Sequence, residues 1–146
     1  MNVSAYIPET YIKSPVQRID VYKKISLIEN ESDRMDVTDE LLDRYGDIPK
    51  CLSSLLDVSL LRAYGSRNCI SKIVKRGSSV IIYPEKLDLR AWSLLASDRK
   101  GSILMPLELK PYITLRTKPG DDVFEKAISL LKDYENIKNS EEKSEE

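Results

Sequence analysis

Residues Cys69–Pro84 read CISKIVKRGSSVIIYP. Ile70 to Val74 is a short β-branched run, Arg76-Gly77-Ser78 carries turn chemistry, and Val80 to Tyr83 is a second apolar run. Two such runs around a glycine-containing turn predict a β-hairpin. The hairpin decides the fold class, because the chain before it, past an extended opening, reads as helix. Towards the C-terminus, a short helix is predicted near Leu87 to Leu95, carrying Trp92. Two more strands are predicted at Ile103 to Leu107 and Tyr112 to Leu115, with Pro106 and Pro111 at edges or strand starts. A last helix follows, with Val123, Ala127, Leu130, Leu131 and Tyr134 on one stripe, Phe124 and Ile128 beside it, and Asp122 and Glu125 spaced as a capping box.

Towards the N-terminus the texture is helical. PKCLSSLLDVSLLRAYG is apolar over most of its surface and is predicted to be the central core helix, ended by Gly65. Before it, DELLDRYGDIP (Asp39–Pro49) predicts a short helix capped by Asp36 or Thr38. A glycine stop follows at Gly46, and Pro49 restarts the chain as helix. Ser14-Pro15 opens a first helix, whose apolar face is predicted as Val16, Ile19, Tyr22 and Ile25. Pro8 disfavours helix for the residue before it, so the opening VSAYIPETYI is predicted to be extended.

The expected class is α+β: N-terminal helices on a small, mostly antiparallel sheet with a C-terminal amphipathic helix. Length predicts a single domain over 1–138, with a weaker boundary near Gly65, and NSEEKSEE over 139–146 is predicted to be an acidic disordered tail. The start resembles no signal peptide, no apolar run approaches a membrane span, and the chain reads as a cytoplasmic piece of something longer.

Composition narrows the chemistry. The chain of 146 residues has no histidine, two cysteines far apart, five scattered glycines and net charge -1. That removes Ser/His and Cys/His catalysis, HExxH zinc sites and glycine-rich phosphate loops. No cofactor and no metal are expected, and Cys51 and Cys69 are predicted to be small buried apolar residues. The near-neutral total hides a polarised distribution. Glu29 to Asp47 holds eight acids against Arg34 and Arg44, while Arg62 to Arg76 holds five basic residues and no acid.

The acidic segment lacks EF-hand spacing. Its Glu40 and Asp43 share a helix face and could serve as a carboxylate pair in a hydrolase, but no substrate cleft is signalled beside them. A solvated face with a Glu40–Arg44 pair at i, i+4 is the simplest reading; a docking face for a basic partner is the sharper one. The basic segment 62–76 could make a nucleic-acid-binding module, though Tyr64 alone is a poor stacking platform.

Three blocks in order, AYIPETYI, RIDVYKKI and DELLDRYGDIP, resemble the C-terminal (TRCF) domain of the bacterial transcription-repair coupling factors, Mfd. The resemblance is carried mostly by the first half of the chain. It implies a non-catalytic regulatory part of an ATP-driven DNA translocase, itself without motor motifs. Such a domain acts as an autoinhibitory clamp on the UvrB-like N-terminal module of the same polypeptide. It covers the surface UvrA would use until RNA polymerase is engaged. By position, the family's acidic contact residues fall on Glu40 and Asp43, with Asp39 and Arg44 beside them as candidate partner-binding residues. Tyr45 stands where the family has phenylalanine.

Overall fold

A computed structural model describes residues 5–99, 101–104 and 112–145, with side chains described as far as 141. The chain forms two compact units, Asn2–Ala63 and Tyr64–Glu146, and the boundary falls where the sequence changes texture near Gly65.

The first unit is helical. Helix α1 (Pro15–Ser26) starts with Pro15 at its first position, and the Ser14 hydroxyl accepts from the Gln17 N–H at 3.3 Å. Helix α2 spans Glu31–Tyr45 and is followed by Gly46 at φ 87°. Helix α3 (Lys50–Arg67) begins after Pro49, whose carbonyl accepts from the Leu52 and Ser53 N–H groups. Ile7, Ile12, Val21, Ile25, Ile28, Leu41, Leu52 and Leu56 are buried in this unit. The buried face of α1 is therefore Val21 and Ile25, not the predicted stripe. Val16 is 77% and Ile19 56% exposed, and Tyr22 turns its hydroxyl to accept from the Ile7 N–H at 2.8 Å. Two apolar sets at helical spacing share α1, and the one holding Val21 and Ile25 is buried.

The second unit is built on a four-stranded antiparallel sheet of order β1-β2-β4-β3. Strands β1 (Ile70–Arg76) and β2 (Ser79–Pro84) form the predicted hairpin. Arg76 pairs Ser79 across the Gly77-Ser78 turn, with Gly77 at φ 59°. Its register shifts between Ile70 and Lys72. Strand β3 (Ile103–Leu104) and strand β4 (Ile113–Arg116) complete the sheet, and the predicted positions of Pro106 and Pro111 lie outside the described residues. Helix α4 (Leu89–Asp98) is capped by Asp88, and α5 spans Val123–Glu145. Trp92 and Leu95 of α4 and Ala127, Leu130 and Leu131 of α5 are buried with Val80, Ile82, Ile113 and Leu115 of the sheet.

Three boundaries differ from expectation. The polar segment before Asp36 is helical because Asn30, not Asp36 or Thr38, caps α2. Gly65 does not end α3; it lies within the helix, where a Cβ would sit 3.3 Å from Ile73 Cδ1, so glycine lets the hairpin approach closely. Helix α5 continues to Glu145, past Asn139 where the tail was predicted to begin. Its polar C-terminal residues lack an apolar stripe, but Lys138 and Glu141 are tied to the neighbouring α4 region through Asp88 and Arg90.

The Asp88–Lys138 pair, 2.6 Å apart, gives this unit a pH signature. The Lys138 hydrogen bond lowers the Asp88 pKa, and the same bond raises that of Lys138. A lowered carboxylate stabilises above its ordinary value near ~4 and loses that contribution as pH falls through the lowered value. A raised lysine stabilises below ~10.4 and loses its contribution as pH rises through the raised value. Asp88→Asn can keep a cap acceptor while removing the pair. Its expected cost is about 1 kcal/mol or less at neutral pH, because both groups are partly solvated. In urea melts the difference from wild type should vanish at both extremes; a difference constant across pH would show that the pair contributes nothing.

Candidate functional site

The acidic face of α2 is positioned from both ends. At its start the Asn30 amide oxygen accepts from the Asp33 N–H at 2.8 Å, and the Asp33 carboxylate accepts from the Glu29 N–H at 3.0 Å. This reciprocal pairing satisfies donors that a helix start leaves open. Arg34 ties the helix sideways, reaching Asp57 of α3 at 2.6 Å and Glu31 at 2.7 Å. At the far end the Tyr11 hydroxyl lies 2.7 Å from the Gly46 carbonyl oxygen and 3.1 Å from that of Leu41. Burial raises the pKa of this phenol, with nearby Asp47 and Tyr45 adding to it, which keeps its proton on the oxygen as a donor. The Tyr45 ring meets that of Tyr11 at a tilt of 53° with centroids 5.8 Å apart, and its hydroxyl donates to the Gln17 amide oxygen at 3.3 Å, a bond phenylalanine could not make.

With Leu41 fully buried, the opposite side of α2 faces solvent. Asp36, Asp39 and Asp43 are exposed there, spaced to share one face, and no ion pair holds them among the described residues. Glu40 differs. Its carboxylate accepts from Lys24 of α1 at 2.8 and 3.1 Å, and Arg44 stands 3.9 Å away. The Glu40 hydrogen bond is the main cause of a raised Lys24 pKa, so Lys24 stays charged. Arg44 also lies over the Tyr45 ring at 5.1 Å. The four sequence-predicted residues therefore divide. Asp39 and Asp43 present unpaired carboxylates, whereas Glu40 and Arg44 are engaged within the unit.

An open depression of about 480 Å³ lies between α1 and α2, lined by Lys24, Leu27, Ile28, Asp33, Asp36, Val37 and Glu40. Asp43 is not among its walls, so Glu40 and Asp43 do not converge on one cleft as a carboxylate pair for acid/base work would require. Sequence reasoning missed Asp36 as a site residue. The signal was present, since Asp36 precedes Asp39 by three and Glu40 by four.

The basic segment crosses the boundary between the two units. Arg62 falls in the first unit and the others in the second. Arg67 pairs with Glu135 at 3.1 Å and lies over Tyr64 at 4.6 Å, and Lys72 lies over Tyr83 at 5.7 Å. Cys51 is half-buried and Cys69 exposed, correcting the expectation that both are buried; Cys69 sits at φ 57°, the chain's turn out of α3. Among the described residues no cluster of three or more His, Cys, Asp or Glu could hold a metal ion. No helix among them is long and apolar enough to cross a membrane.

A family model described as the TRCF domain matches residues 1–90. The chain belongs to the TRCF domain family. A transcription-repair-coupling factor of Staphylococcus epidermidis is 34% identical over 82 residues, covering 56% of this TRCF domain and 7% of the relative. That of Bacillus subtilis is 25% identical over 146 residues, covering 94% of this chain and 12% of the relative. The chain thus spans a small part of the curated relatives it matches. A crystal structure of the C-terminal domain of a transcription-repair coupling factor has the same fold, with TM-score 0.82 at 23% identity, covering 96% of this chain and 92% of that one.

Proposed function

We propose that this TRCF domain is a non-catalytic, autoinhibitory clamp, docking through the acidic face of α2 onto the UvrB-like N-terminal module of its parent polypeptide. Docked there, it masks the surface that UvrA would use until the parent engages RNA polymerase. The parent, in this reading, is a cytoplasmic ATP-dependent DNA translocase of transcription-coupled repair. The observation that carries the reading is the row of unpaired, exposed carboxylates at Asp36, Asp39 and Asp43 on a helix anchored at both ends. Carboxylates carried on an anchored helix can meet arginine forks without reordering the backbone. A tether raises the effective concentration of the two surfaces, so a weak contact closes the clamp. A weak contact is also one that polymerase binding can overcome.

The test is calorimetric titration of the full chain against the UvrB-like module at low and moderate salt, repeated with the two pieces covalently fused. Saturable binding that weakens with salt is expected. Absence of association even in the fusion would overturn the clamp.

A further inference from the structure

We infer that a cavity of the Tyr64–Glu146 unit, between the turn into β1, the β2–α4 connection and α5, binds a small zwitterionic thiol, which Cys69 takes up as a mixed disulfide. The cavity holds about 830 Å³, and small-molecule sites occupy roughly 300–1,000 Å³. Tyr134 is the first observation that points to a ligand. It is 5% exposed and lines the cavity, yet its hydroxyl has no hydrogen-bond partner among the described residues. Asp88, Lys138 and Cys69 all bear on its ionisation, so the phenol oxygen lies on their side of the ring. Burial is the main cause of its raised pKa, so the group keeps its proton and offers a donor. A buried donor without an acceptor costs free energy, which a ligand oxygen recovers.

The charge pattern is the second. Two ion pairs in the lining, Arg67–Glu135 at 3.1 Å and Lys138–Asp88 at 2.6 Å, balance themselves. Glu85 and Lys86 also line the cavity, adjacent and of opposite sign. Both are exposed and without an ion pair among the described residues. A molecule with one carboxylate and one ammonium matches them and leaves no net charge over. Its two carboxylate oxygens offer acceptors for the Tyr134 hydroxyl and for Lys86. Cys69 makes the site reactive. Its thiol is free and exposed, and its carbonyl accepts from the Glu85 N–H at 2.9 Å, which sets the two residues side by side. The ligand arrives as its symmetrical disulfide. The Cys69 thiolate attacks one sulfur, a new S–S bond forms, the old one breaks, and the other half leaves as a thiolate that takes up a proton. The disulfide is the oxidant, and a second thiol reverses the step.

The experiment treats the full chain with cystine and, separately, with the uncharged 2-hydroxyethyl disulfide, reading adduct formation at each cysteine by peptide mass spectrometry. Half-buried Cys51, in the other unit, is the internal reference. The ratio of the cystine rate to the neutral rate is expected to be about tenfold higher at Cys69 than at Cys51, the worth of one charge-assisted bond. Tyr134→Phe keeps the ring that stacks on Trp92 and removes only the hydroxyl. It should bring the Cys69 ratio down about tenfold while the neutral rate stays as it was. Lys86→Gln, at an exposed position, should lower the same ratio a few-fold, and thermal melts of both variants guard against unfolding. Equal ratios at the two cysteines of the wild type would overturn the site. A Cys69 ratio that neither variant moves would overturn it as well.

Discussion

Trp92→Ala should cost the Tyr64–Glu146 unit about 3–5 kcal/mol, the range for emptying a large aromatic site in a packed core. Trp92 is fully buried and stacks on Tyr134 with ring centroids 4.9 Å apart and planes at 25°. Small domains have only about 5–15 kcal/mol to lose, so this single change threatens the fold of the unit. The comparison with Trp92→Phe carries the sharper information. The indole N–H is buried with no hydrogen-bond partner among the described residues, and such an orphan donor costs about 1–3 kcal/mol. Phenylalanine removes the orphan while losing part of the ring, so the two effects oppose and Trp92→Phe should fall well short of the alanine loss. Urea melts followed by far-ultraviolet circular dichroism read both, because Trp92 is the chain's only tryptophan and fluorescence is lost with it. Equal losses for both variants would mean that the N–H is satisfied and the shape of the indole is what matters.

The second large effect is on docking. Asp39→Lys with Asp43→Lys should abolish closure of the clamp in the fused protein, by a hundredfold or more, since like charges brought face to face cost several kcal/mol. Glu40→Ala should do less than this reversal. Its carboxylate is already half neutralised by Lys24, and removing it frees a lysine rather than stranding a buried charge. The order reversal, then single truncation, then wild type is what the geometry dictates, measured as the closed fraction against salt. A Glu40→Ala defect as large as the double reversal would place the main contact on Glu40 instead.

The hairpin, the α+β class and the acidic face were legible from the chain because each rests on local chemistry. Gly77 sets the turn, apolar residues in two short runs set the strands, and helical spacing puts Glu40 and Asp43 on one side of α2. What was not legible depends on partners distant in sequence. On α1 the Tyr22 hydroxyl accepts from the Ile7 N–H, and only Ile25 was common to the expected and observed faces. Gly65 looks like a helix stop until Ile73 is seen beside it. Glu40 looks free until Lys24, on another helix, is found holding it. The resemblance supplied Glu40 and Asp43 by position, and the geometry shows Glu40 held by Lys24 while Asp43, like Asp36 and Asp39, is exposed with no ion pair among the described residues.

Strand β1 lies at one margin of the sheet, with β2 on only one side of it. Its outer row of backbone groups is a template on which another chain could grow. Lys72, Lys75 and Arg76 lie along that strand, so a second copy arriving strand to strand would set cations against cations. Like charges set opposite one another disfavour that pairing.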